Sequence, residues 1–135
     1  MQHFPINYLA LVVAAIARFL FGWLWYSPLL FGKTWMSLTN CSPEEMKRRM
    51  PLLASLDLIS NFVMSFVLVH AVHYAGATNA GQGAAVGFFN WLGFIATVTL
   101  MATLYEKRPL KLFWINNGFQ LISLLIMGAI VAVWV

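Results

Sequence analysis

The side chains with a capacity for chemistry are few, and two of them stand where charge is costly. Arg18 lies inside an apolar run from Ile6 to Tyr26, and Asp57 inside another from Leu52 to Tyr74. A lone arginine or aspartate at the centre of a membrane helix costs about 2.5–3.5 kcal/mol on insertion scales, so such residues pair with one another or mark a path for ions, protons or solutes. Asp57, Asn61 and Ser65 recur at i, i+4, i+8, and Asn116, Gln120 and Ser123 at i, i+4, i+7, with Asn117 beside them. On helices each set forms a stripe. In lipid both stripes must turn inward, because hydrocarbon cannot satisfy an amide. Arg18, Asp57, Asn61, Asn116, Asn117 and Gln120 are therefore candidates for a small polar cavity that binds an ion or a small solute. Interhelical glue, at about 0.6 kcal/mol per hydrogen bond, uses the same residues. The sequence leaves both readings open.

The remaining reactive types give less. His70 and His73 share a helix face at i, i+3, and His3 belongs to the same side of the membrane. Three imidazoles are a weak metal candidate, and histidines solvated or bonded singly are the simpler expectation. Glu106, next to Lys107 and Arg108, reads as an interfacial acid, or as a third member of the Arg18–Asp57 group. Cys41 is the single cysteine, which excludes an intramolecular disulfide and a CxxC redox pair. There is no nucleophile with an evident base, no metal-ligand spacing and no phosphate loop. No enzyme activity, cofactor or nucleic-acid partner is expected.

The elements that position these groups follow from composition. The chain has 135 residues, of which 61% are hydrophobic and 9% charged; a soluble domain carries about 25% charged residues. So small a chain cannot hide this excess inside itself, and lipid must cover it. Four stretches, about 6–26, 52–74, 83–104 and 112–135, are long enough to cross about 30 Å of hydrocarbon at about 1.5 Å per residue. The fold class is an all-α integral membrane protein: four transmembrane helices in one domain, with a short amphipathic, interfacial segment over about 27–50. Ala15-Ile16-Ala17 has the form of a signal cleavage site, but no Lys or Arg precedes it, so the first stretch is expected to remain as a span. Gly83 and Gly87 form a GxxxG pair, which lets two backbones approach within one chain or between copies.

Charge gives direction. Lys33, Lys47, Arg48 and Arg49 fall between spans one and two, and Lys107, Arg108 and Lys111 between spans three and four, which is seven of the eight basic residues. The positive-inside rule makes both loops cytoplasmic and both termini external, in a cell inner membrane. In "LWYSPLLFGKTWM", Ser27 is expected to cap a new helix and Pro28 to open it, so that the chain bends and then lies along the surface. In "SPEEMKRRM" a further short helix is expected, with Ser42 as cap, Pro43 as first residue and Glu45 as capping-box acid. Lys33, Trp35, Lys47, Arg48 and Arg49 form a candidate surface for anionic lipid or a partner protein.

"LWYSPLLFGKTWM", together with "WLGFIATVTLMATLYEKRPLKLFWINNGFQLISLLIMGAIVAVW", resembles a small membrane family known as domain of unknown function 1761. The resemblance implies a four-span, mainly bacterial membrane protein with no assigned reaction, and carries no catalytic residue across. Two functions fit the sequence: a non-catalytic membrane component that binds a partner protein or lipid, or a homo-oligomeric, proton-coupled transporter or channel for small solutes or ions that uses Arg18 and Asp57.

Overall fold

Residues 6–134 are described by the computed structural model, and every regular element among them is helical. Helix α1 spans Tyr8–Trp25, α2 Gly32–Thr39, α3 Pro43–Tyr74, α4 Ala80–Asn90, α5 Thr97–Tyr105 and α6 Leu110–Val133. A π-helical segment, Trp91–Ala96, joins α4 to α5. Four units, Tyr8–Trp25, Pro43–Tyr74, Ala80–Tyr105 and Leu110–Val133, are long and apolar enough to cross a membrane. This is the expected multi-pass, all-α architecture.

The helix starts follow local chemistry. Asn7 caps α1 by accepting from the Ala10 amide at 3.1 Å, and its Nδ2 donates to the Trp134 carbonyl at 2.7 Å, which ties the two ends of the chain together. Ser42 caps α3 through the Glu45 amide at 3.1 Å, with Pro43 in the first turn. The spans therefore run up and down, with the chain ends and the α3–α4 turn at one end of the bundle. The basic loops are at the other.

Three expectations require correction. First, Ser27 does not cap a helix and Pro28 does not open one. The Ser27 hydroxyl donates back to the Leu24 carbonyl, and the Ser27 carbonyl accepts from the Leu30 and Gly32 amides. A compact turn results, and α2 begins only at Gly32. A Cβ there would collide with the Tyr26 and Ser27 carbonyl oxygens, so the doubling-back needs glycine. Second, the basic segment and span two form a single helix of 32 residues that runs through Pro51. Proline removes one helical hydrogen bond. Here the loss falls among exposed residues, where polar surroundings can satisfy the freed Lys47 carbonyl. Third, span three is not uniformly α-helical, because the π segment widens it in the middle.

Helix α6 is the hub. Half of its apolar window is buried inside the bundle, against 11% for Ala80–Tyr105. At the chain-end half, α4 lies against α6 through Gly83, Gly87 and Gly128. A Cβ on Gly83 would strike the Gly128 carbonyl, and one on Gly87 the Leu124 carbonyl. The GxxxG pair is thus used within the chain. Leu11, Leu68, Val72, Leu124 and Met127 fill the core on that side. Beyond the π segment α5 leaves α6, and the gap between them holds the polar site. Spans two and three meet only sparsely.

Candidate functional site

Arg18 sits on an α1 face kept small by Ala14 and Gly22. Ala14 is fully buried, and a Cβ on Gly22 would press on the Phe119 ring at 3.3 Å. The arginine itself is 5% exposed. Its Nε donates to Asn61 Oδ1 at 2.7 Å and its Nη1 to Ser123 Oγ at 2.6 Å. The guanidinium carbon lies 4.7 Å from the centre of the Phe119 ring, within cation–π range. Hydrogen bonds to a charged group contribute about 1.5–3 kcal/mol each, enough to offset the insertion cost of the charge.

The expected pairing of Arg18 with Asp57 takes an indirect form. Among the described residues the two make no ion pair within 4.0 Å. Asn61 stands between them: its Oδ1 accepts from Arg18, and its Nδ2 donates to Asp57 Oδ2 at 3.3 Å. Asp57 lies one helical turn nearer the basic loops and stays exposed, while the guanidinium reaches the level of Asn61 and Ser123. On the far side, Ser123 Oγ donates on to the Gln120 carbonyl at 3.1 Å. The last member of the α3 stripe, Ser65, binds the Leu11 carbonyl at 2.7 Å and fastens α3 to α1.

The asparagines of α6 take separate tasks. Asn116 Oδ1 accepts from the Tyr26 hydroxyl at 2.7 Å. Asn117 Oδ1 accepts from Thr99 Oγ1 at 3.1 Å, which links α5 to α6. Between these helices lies a cavity of about 440 Å³, bordered by Arg18, Asp57, Glu106, Arg108, Asn116 and Gln120. Glu106 and Arg108 pair at 2.9 Å. Gln120 Oε1 is buried and has no hydrogen-bond partner among the described residues. The cavity therefore carries two cations, two carboxylates and one unsatisfied amide oxygen.

Five contributors lie outside the polar stripes: Tyr26, Thr99, Thr103, Arg108 and Phe119 all line the cavity. Thr99, Thr103 and Glu106 recur at i, i+4, i+7, the same signal that marks the other stripes. Tyr26 and Phe119 carry no such signal, since an aromatic ring near an interface reads as part of the belt.

The other candidates stand apart from this site. Lys33 is exposed on α2, and Lys47, Arg48 and Arg49 are exposed on the first turns of α3. Trp35 turns back instead and packs edge-on against Tyr26, with ring centres 6.0 Å apart. His3 lies outside the described residues. His70 Nδ1 lies 2.8 Å from the Phe66 carbonyl, and no group of three metal-ligating side chains occurs among the described residues.

Four apolar helices around a buried arginine-centred network define a small multi-pass membrane protein with a polar cavity at its basic end. The family model described as "Protein of unknown function (DUF1761)" matches residues 9–132, and the chain belongs to that family. Neither the curated proteins nor the solved structures gave a match.

Proposed function

We propose that the protein is a non-catalytic component of the cell inner membrane that binds a small polar group in the cavity at its cytoplasmic end. In this reading both termini are external and the basic loops cytoplasmic, with Lys33, Lys47, Arg48 and Arg49 available to lipid headgroups or a partner protein. The observation that carries it is the cavity of about 440 Å³ in which Gln120 Oε1 has no partner among the described residues. Buried polar groups left unmatched are costly, and a ligand that donates a hydrogen bond there removes the cost.

Its hydroxyls support binding over catalysis. Among those that line it, Tyr26 donates to Asn116 Oδ1, Thr103 to the Thr99 carbonyl, and Thr99, with its single proton, to either the Ile95 carbonyl at 2.6 Å or Asn117 Oδ1 at 3.1 Å. A nucleophilic hydroxyl needs a base to take its proton, and these protons point at amide oxygens. The test is a melting-temperature screen in mild detergent with phosphate-, amine- and carboxylate-bearing solutes. At least one class raises the melting temperature of the wild type and not of Asp57→Asn; no shift with any class contradicts the reading.

Proton-coupled transport by a homo-oligomer is the second reading. Asp57 and Glu106 border one cavity, which favours it. The core layer of Leu11, Leu68, Leu124 and Met127 lies on the chain-end side of the polar network, so transport requires that layer to open. Solute flux in liposomes that disappears in Asp57→Asn is the expected sign.

A further inference from the structure

We infer that the polar cavity is the head end of a longer cleft between spans two and three, and that its occupant is a zwitterionic phospholipid with an amine-bearing head group. This rests on the polar-cavity reading above and names the ligand.

A second cavity, of about 510 Å³, lies between α3 and the π segment and is lined almost wholly by apolar side chains. Its walls continue those of the polar one. Along α3 the lining runs from Asp57 to Ser60, Met64, Leu68 and Ala71, at steps of three and four residues. Along span three it runs from Thr103 and Thr99 to Ile95 and Asn90, at steps of four and five. The floor is α6, with Asn116 and Gln120 under the polar part and Leu124 under the apolar part, one turn apart each time. Three helix faces thus pass from polar to apolar together, in the same direction. Ser60 and Asn90 do not break the apolar stretch, since each donates to a carbonyl of its own helix, Leu56 and Val86.

The apolar lining is long enough for much of an acyl chain. From Ile59 to Ala71 it extends about 18 Å along the helix at about 1.5 Å per residue, past the middle of span two and toward the chain ends. Ile59, Val63, Val67 and Phe94 are exposed, so the cleft is open sideways to lipid along its length.

Charge and donor counting select the head group. The polar end holds Arg18 and Arg108 against Asp57 and Glu106. Its formal charge is zero with both signs present, and its complement is a zwitterion. Vacant hydrogen-bonding capacity lies on both donors and acceptors: toward the described residues Arg18 donates through two of its five N–H groups and Arg108 through one. Asp57 accepts one bond, from Asn61, although a carboxylate has about four acceptor sites, and Gln120 Oε1 accepts none among the described residues. A primary ammonium brings three donors for these oxygens, and the phosphate beside it faces the arginines. A quaternary ammonium brings no donor.

The experiment is native mass spectrometry of the full chain. It is released from nanodiscs that contain equal parts of phosphatidylethanolamine, phosphatidylcholine and phosphatidylglycerol with identical acyl chains. The wild type retains one phosphatidylethanolamine, preferred about tenfold over each competitor, the size of one charge-assisted hydrogen bond. Asp57→Asn reduces the preference over phosphatidylcholine to about twofold or less. Ser60→Phe and Val63→Phe, at exposed positions that fill the apolar cleft, lose the lipid while melting as the wild type does. Equal retention of all three lipids, or preference for phosphatidylglycerol, overturns the assignment. Glycerophosphoethanolamine, the head group without chains, separates the two levels. If it binds as tightly as the whole lipid, the apolar cleft is unused and this inference falls while the polar-cavity reading stands. If neither binds, both fall.

Discussion

Arg18 is the buried charged side chain among the described residues, and its partners are neutral. That decides which substitution should hurt most. Asn61→Leu leaves the buried guanidinium without its Nε acceptor and cuts the link to Asp57. A loss of about 3 kcal/mol or more is expected, because the group left unsatisfied is charged. Arg18→Leu removes the costly charge along with its bonds but strands the buried Asn61 Oδ1, and should cost less than Asn61→Leu, about 1–3 kcal/mol. The double variant should recover part of the loss, with a coupling of about 1–3 kcal/mol, larger than that between Arg18 and Asp57, which interact through Asn61. Thermal or denaturant unfolding in detergent measures all of these, and equal coupling of Arg18 to Asp57 and to Asn61 contradicts the relay. Much at this scale is legible in the sequence, since Arg18, Asn61, Ser65 and Ser123 are polar residues in apolar runs and must find one another. The order of the relay is not. It depends on how far the arginine side chain reaches along α3, and spacing alone does not carry that.

At the scale of elements, two kinds of glycine should answer oppositely to the same change. Gly87→Ala places a methyl group against the Leu124 carbonyl. It should destabilise by about 1–3 kcal/mol, as overpacking does. Gly93, in the π segment, has nothing within 4 Å of an added Cβ. Gly93→Ala should be neutral or stabilising, by up to about 1 kcal/mol. Melting temperatures of the two variants check this pair, and a shared sign contradicts the packing described. GxxxG legibly marks a close approach, but the pattern does not name the partner, which the structure identifies as α6 through Gly128. The π segment has no signature in the apolar periodicity of "WLGFIA". Its consequence, the departure of α5 from α6, is what makes room for the cavity. Proline positions also mislead in opposite ways: Pro28 opens no helix, and Pro51 ends none, because its lost hydrogen bond falls where polar surroundings replace it.

For the whole molecule, the number of spans is read directly from hydropathy, and their direction is proposed from the placement of Lys and Arg. Cys41 lies in the segment before α3. A membrane-impermeant thiol reagent should label it in inverted vesicles and spare it in intact spheroplasts; the reverse pattern contradicts the proposed orientation. The polar cavity opens at this same end of the bundle, and the apolar core closes the other. Cysteine reactivity in a Cys41→Ser background tests it most directly. Gln120→Cys, on the cavity floor, should react with a small impermeant reagent from the basic-loop side alone. Ser65→Cys, buried between α1 and α3, should resist the reagent from both sides. An inert Gln120→Cys, or one that reacts from the side of the chain ends, would mean that the cavity does not open at the basic end.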